Sequence, residues 1–140
     1  MGAWLGLIFG VAVLATGDAT AFYIVDAPGT IATVLLKGTA AGFLAGLTYE
    51  WLSKKNIYWG TIAAAIVCPI VNTGVFLLGC RLFFWDTIQT WALADNGGQM
   101  IPYLIFGMGL INFPFELGSN LVLSPVLLRL LRISKKIRGM

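Results

Sequence analysis

The sequence predicts an all-α integral membrane protein with four transmembrane helices. Of its 140 residues, 59% are hydrophobic and only 11% are charged, whereas a soluble domain carries about 25% charged residues. Because a soluble surface needs charge, this deficit argues against a soluble protein more firmly than the apolar excess does. The net charge of +3 is concentrated near the C-terminus, and this distribution argues against nucleic-acid binding.

Four apolar segments carry this prediction, and they form one membrane domain over residues 1–140. The last three reach the roughly 20 residues that a span requires, and the first is short. An alternative for the first segment is a signal peptide, with Ala19-Thr20-Ala21 as its cleavage site. We expect helices at about 1–17, 30–52, 58–82 and 101–133, followed by a basic tail at 134–140.

The positive charges predict the orientation in the membrane. Lys54 and Lys55 lie between the second and third segments, and five further lysines and arginines lie at the C-terminal end. Cytoplasmic loops carry such an excess of Lys and Arg, so both places and, with four crossings, both termini are predicted to be cytoplasmic. The connections 16–29 and 83–100 then become outer loops, and they contain aspartates but no lysine or arginine.

The last segment carries a polar stripe. Asn112, Glu116 and Asn120 recur every four residues, which places them on one face of a helix. An ionisable group inside a span costs at least a few kcal/mol unless something holds it, so we expect this face to line an internal cavity. Two states of Glu116 fit the pattern: ionised against a cationic ligand, or protonated and acting as a hydrogen-bond donor.

A second polar interruption lies in the third segment, where Asn72 and Thr73 follow Pro69. A proline frees a backbone carbonyl one turn earlier, and nearby polar groups or water can satisfy that carbonyl. Asn72 and Thr73 are therefore either a local repair of a kinked helix or an amide and a hydroxyl that line the cavity.

Two cations lie near the predicted outer mouth. Lys37 is about 10 Å below the outer end of the second segment, where it either snorkels to the interface or faces the cavity as an anion partner. Its depth differs from that of Glu116 by about 12 Å, which disfavours a direct pair. Arg81, at the outer end of the third segment, is the other candidate anion partner.

Small residues form two regular strips. Glycines spaced four apart let two helix backbones approach closely, so each strip is either an intramolecular packing face or a docking strip for another membrane subunit. The strips are Gly2, Gly6 and Gly10 in the first segment and Gly38, Gly42 and Gly46 in the second.

The outer connections are rich in aromatic residues. Phe22 and Tyr23 lie in the first, and Phe83, Phe84 and Trp91 lie in or beside the second. Aromatic residues form interfacial belts in membrane proteins, and loops that fold over a ligand use the same residue types.

Catalysis is not expected from this chain. It contains no histidine, which excludes histidine-based catalysis and histidine–metal sites. We find no nucleophile–base pair, metal-ligand cluster or phosphate-binding loop in the sequence, and therefore predict neither an enzyme nor a cofactor.

With these residues laid out, the chain resembles the substrate-binding (S) components of energy-coupling factor (ECF) transporters. The stretch GAWLGLIFG is similar to the glycine-rich start of that family's third helix, and LLKGTAAGFLAGLTYEWLSKKN to its fourth helix and basic turn. VNTGVFLLG and INFPFELGSNLVLSPVLLRLL are similar to the fifth and sixth helices. The four predicted helices thus correspond to helices three to six of a six-helix bundle, without counterparts of the first two.

The resemblance implies a plasma-membrane component that binds a vitamin or related micronutrient for uptake. Its partners would be the coupling transmembrane subunit and a pair of cytoplasmic ATPases. Two alternatives are a structural or assembly protein, whose polar stripe holds helices together, and an ion-coupled carrier that uses Glu116. The candidate substrate-binding residues are Lys37, Asn72, Thr73, Arg81, Asn112, Glu116 and Asn120.

Overall fold

The computed structural model is an all-α protein, as predicted. It describes residues 1–104, 106, 113–114, 116–122, 125, 129 and 133. The described residues from 113 onward are helical. Six helices precede them: α1 (Gly2–Thr16), α2 (Thr20–Tyr23), α3 (Ala27–Ser53), α4 (Ile57–Phe83), α5 (Trp85–Asn96) and α6 (Met100–Pro102).

Local sequence explains where the long helices begin and end. Asp26 is extended and Pro28 occupies the first turn of α3, where the missing N–H of proline costs nothing. Asn56 caps α4, because its side-chain oxygen accepts a hydrogen bond of 2.9 Å from the backbone N–H of Tyr58. Gly17 ends α1 with a φ of 82°, a left-handed conformation that glycine adopts without steric cost.

The two helices α3 and α4 are each long and apolar enough to cross a membrane. α1 has 15 residues, which is short of the roughly 20 that a span requires. Much of the predicted fourth helix at 101–133, and all of the basic tail at 134–140, lie outside the described residues. The four-helix prediction is therefore supported for its all-α character and for two membrane-length helices.

The predicted outer loops contain helices, which is a correction to the sequence analysis. α2 lies within 16–29, and α5 occupies most of 83–100. In α5, Ile88 and Ala92 are fully buried and lie four residues apart, on one face. Only helices long enough to cross a membrane were considered from the sequence, whereas the apolar spacing of one helical face is typical of a shorter helix here.

The two glycine strips pack against each other, so the intramolecular interpretation is confirmed. A Cβ on Gly6 would overlap the carbonyl oxygen of Gly38, and a Cβ on Gly2 would overlap that of Gly42. At the far end, a Cβ on Gly10 would lie 3.0 Å from the carbonyl oxygen of Val34. α1 and α3 are therefore in backbone contact along the whole strip, which leaves no space there for a helix of another subunit.

Candidate functional site

A cavity of about 430 Å³ lies between α1, α2, α3, α4 and the side chain of Glu116. It reaches the surface near Asp18, which is exposed. Its polar lining comprises Asp18, Thr30, Thr33, Lys37, Asn72, Thr73 and Glu116. Its apolar lining comprises Phe9, Val13, Ala19, Phe22, Val34, Phe76 and Phe84.

The centre of the polar lining is a hydrogen-bonded pair between α4 and the last segment. The Asn72 Nδ2 group donates to both carboxylate oxygens of Glu116, at 3.0 Å each. A donor shared between two oxygens suits an ionised carboxylate, which is purely an acceptor. The pair fixes the plane of the Glu116 carboxylate while leaving it further capacity to accept hydrogen bonds.

Two buried polar atoms in the lining have no hydrogen-bond partner within the described residues. They are the Asn72 Oδ1 atom and the Thr33 Oγ1 atom, on side chains that are only 6% and 4% exposed. The nearby Thr30 hydroxyl differs, because it donates to the backbone oxygen of Asp26 at 2.7 Å. Buried polar groups are normally paired, so these two atoms are exceptions among the described residues.

Lys37 points into the cavity, as the second of its two interpretations predicted, and does not snorkel. Its Nζ lies over the Phe76 ring, 5.1 Å from the ring centroid, a cation–π geometry. It also interacts electrostatically with Glu116 and Asp18. Among the described residues, no direct ion pair joins Lys37 to either carboxylate, although Lys37 and Glu116 line the same cavity.

Asn120 and Glu116 both belong to the predicted stripe, but their side chains make different contacts. Its Nδ2 donates to the backbone oxygen of Ala65 at 3.4 Å. That oxygen would ordinarily accept from the residue four positions later, which is Pro69, and proline has no N–H. Asn120 thus repairs the hydrogen bond that Pro69 removes, a role that was one of the two interpretations of Asn72 and Thr73 in the sequence analysis.

Arg81, another predicted site residue, is not among the residues that line the cavity. Arg81 is exposed, and its guanidinium carbon lies 3.8 Å from the Trp85 ring centroid. Asn112 lies outside the described residues. Of the seven candidates, the structure therefore brings four together around the cavity: Lys37, Asn72, Thr73 and Glu116.

An aromatic cluster around Phe22 lines one side of the cavity. Phe22 of α2 contacts Phe76, Phe84 and Trp91 edge-on, with ring centroids 5.6, 5.0 and 5.5 Å away. Its neighbour Tyr23 is exposed. The aromatic residues of the predicted loops are thus divided, because Phe22 and Phe84 cover the cavity whereas Tyr23 faces outward.

Three polar lining residues were missed by the sequence analysis: Asp18, Thr30 and Thr33. Thr30, Thr33 and Lys37 follow one another at spacings of three and four, so they share one face of α3. The spacing rule that identified the stripe around Glu116 would have found this second stripe.

The cavity is suited to binding by charge, hydrogen bonds and aromatic contact. Within the part of the chain that is described, no cluster of three acidic or cysteine side chains is arranged to hold a metal ion. No family model matches the chain, and neither the curated proteins nor the solved structures include a match.

Proposed function

We propose that this chain is the substrate-specific membrane component of an ECF-type micronutrient transporter and that the cavity is its ligand site. The observation that carries the proposal is a cavity of about 430 Å³ whose lining combines the polar side chains of Lys37, Asn72 and Glu116 with aromatic rings. A volume of this size falls within the range of small-molecule sites, which are mostly apolar and contain a few polar groups.

The exposed apolar surface supports a membrane location. Trp51 on α3 is 75% exposed, and Leu82 on α4 is 74% exposed. Large exposed apolar side chains of this kind are unfavourable in water and favourable in a bilayer. The proposal includes four crossings with both termini in the cytoplasm, on the charge argument given above.

The proposed orientation places the cavity in the outer half of the membrane domain. The cavity lies beside the end of α1, the beginning of α3 and the end of α4, which the charge argument assigns to the outer side. In the proposed mechanism, a ligand enters from outside past Asp18 and is held by Lys37, Asn72 and Glu116. The coupling subunit and the cytoplasmic ATPases then drive its release to the inside.

Mass spectrometry of the gently purified protein tests this proposal. We expect a small molecule to be retained by the wild type and by Glu50→Gln, since Glu50 is exposed and outside the cavity lining, and to be lost from Glu116→Gln. The proposal fails if no small molecule is retained and none binds from a panel of vitamins. In proteoliposomes, uptake should require the coupling subunit and ATPases, whereas uptake without them would indicate an ion-coupled carrier.

A structural role is the second candidate, and a specific observation favours it. The Asn120–Ala65 hydrogen bond and the contact between Gly6 and Gly38 both serve helix packing. If the whole protein had this role, Glu116→Gln would leave its function intact and no ligand would be found.

A further inference from the structure

Two opposite charges share the cavity without forming an ion pair. Lys37 and Glu116 both line it, and within the described residues no direct ion pair joins them. Their formal charges cancel when both are ionised. Asp18, the other charged residue of the lining, is exposed, and ions in water screen a charge at that position. The inside of the cavity is therefore neutral as a whole but carries one positive and one negative group.

Each of the two charges has a partner of its own on α4. The Asn72 Nδ2 group donates to both carboxylate oxygens of Glu116, and the Lys37 Nζ lies 5.1 Å from the centroid of the Phe76 ring. Asn72 and Phe76 are separated by about 6 Å along the axis of α4. The two charges are thus held by successive turns of one helix, and these contacts favour separate charges over a direct pair.

Neither charge is saturated by its partner. A carboxylate has about four acceptor positions, and Glu116 receives only the Asn72 donor among the described hydrogen bonds. The Lys37 ammonium faces an aromatic ring, and among the described residues it donates no hydrogen bond to an oxygen. A ligand that satisfies both groups must therefore donate to Glu116 and accept from Lys37.

Such a site distinguishes ligands by their charge. A ligand with a single charge is attracted by one of the two groups and repelled by the other, so the two Coulomb energies oppose each other. A zwitterion can orient so that both of its charges are attracted. Removing these charges from water is costly, and this orientation offsets the cost because each charge then has a partner inside the cavity.

We infer, on the basis that the cavity is the ligand site of the proposed function, that it selects an organic zwitterion over singly charged molecules of the same size. The ammonium group of the ligand would lie at Glu116, and its anionic group, such as a carboxylate, would lie at Lys37. Phe22, Phe76 and Phe84 line the same cavity and would contact an apolar or aromatic substituent of the ligand.

Four probes with the same heavy-atom skeleton test this inference. At about pH 6, below the ordinary pKa of an α-amino group, L-phenylalanine is a zwitterion, L-phenylalaninamide a cation, 3-phenyllactate an anion and 3-phenyllactamide neutral. Their binding to the full chain is measured by equilibrium dialysis, with the protein in nanodiscs of neutral lipid and empty nanodiscs as the blank. We expect phenylalanine to bind at least about tenfold more tightly than each of the others, which corresponds to 1.4 kcal/mol.

Two variants should each abolish a different part of this preference. Glu116→Gln should abolish the preference for phenylalanine over phenyllactate, which lacks the ammonium group. Lys37→Gln should abolish the preference over phenylalaninamide, which lacks the carboxylate. The control Glu50→Gln should retain both preferences. A general disturbance of the fold would weaken all probes alike, and Lys37→Gln keeps the inference testable if Glu116→Gln does not fold.

The inference is overturned if a singly charged or neutral probe binds as tightly as phenylalanine. A preference that survives the variant expected to abolish it would also overturn it, and so would the absence of binding by all four probes. The proposed function is decided separately by mass spectrometry, because a retained molecule that is neutral or singly charged would leave that function standing while this inference fails.

Discussion

The two contacts that α3 makes with its neighbours are built in opposite ways. Towards α1 it presents Gly38 and Gly42, and the helix backbones touch so closely that a single added carbon on Gly6 would collide with the carbonyl of Gly38. Away from α1, α3 presents Thr33 and Lys37 to a cavity of about 430 Å³ that Asn72 and Glu116 also line, although α3 and α4 are packed together beside it, where a Cβ on Gly79 would overlap the Thr33 side chain. One helix therefore has a closed contact with α1 and an open contact at the cavity.

The difference shows how side-chain size and polarity divide a small helical protein into packing and binding regions. Glycine leaves no side chain to hold the helices apart, so the closed contact gains dispersion energy and excludes other molecules. At the open contact, larger and polar side chains surround a space that they do not fill, and their polar ends require partners. The open contact meets this need only partly, since Asn72 Oδ1 and Thr33 Oγ1 are unpartnered among the described residues.

The largest effect is expected from breaking the closed contact. Gly6→Ala should destabilise the protein by about 3 kcal/mol, because the new carbon meets backbone that cannot rotate away. The identical change at Gly74, another glycine inside a helix, should be neutral or slightly stabilising, since none of the described residues lies within 4 Å of an added Cβ. Thermal unfolding in detergent measures the stability of each variant relative to the wild type. Similar stabilities for the two variants would contradict the packing described.

The next effect concerns the aromatic cover of the open contact. Phe22→Ala should cost about 2 kcal/mol, because it removes three ring contacts from one half-buried side chain. It should also speed amide hydrogen exchange across α2. Tyr23→Ala is the control, since Tyr23 is 49% exposed, and it should change neither quantity. Equal protection of α2 in both variants would mean that Phe22 does not hold it.

The hydrogen bonds at the centre of the open contact should give a measurable coupling. In a double-mutant cycle, Asn72→Ala and Glu116→Ala should couple by about 1.5 kcal/mol, near the upper end of values for polar contacts between membrane helices. The coupling arises because either substitution alone removes the whole contact. Additive losses of stability would show that the two side chains do not interact.

The smallest effect tests the repair at Pro69. Asn120→Ala should destabilise the wild type by about 0.5 kcal/mol, the typical value for a hydrogen bond between membrane helices. The loss should be smaller in the Pro69→Ala background, because residue 69 then supplies the N–H that Ala65 lacks. The comparison requires the free energies of unfolding of the wild type, the two single variants and the double variant. An equal loss of stability in both backgrounds would mean that Asn120 has another role.

The strongest patterns in the sequence were the most informative about the fold. The predicted helices at 30–52 and 58–82 correspond to α3, Ala27–Ser53, and α4, Ile57–Phe83. Long apolar runs bounded by Pro28 and Asn56 leave few alternatives to a helix. The prediction was wrong for α5, where an amphipathic helix lies in a stretch interpreted as an outer loop.

The candidate site was only partly predictable. The spacing of Glu116 and Asn120 placed both on one helix face, and yet one lines the cavity and the other caps the Ala65 carbonyl. Periodicity shows which residues share a face. It does not show which neighbouring groups each residue meets along that face, because that depends on the axial position of the adjacent helix.

The sequence by itself determined the all-α class, the two membrane-length helices, the glycine strips and the presence of polar groups in apolar segments. These properties follow from composition and from periodicity about each helix's own axis. Only the tertiary structure decided that the glycine strips face each other, that Lys37 turns inward, and that Asn72 meets Glu116 across 44 residues of chain. Such pairings depend on how far each helix is rotated about its axis and shifted along it relative to its neighbours. Those positions are set by all the contacts of the fold together.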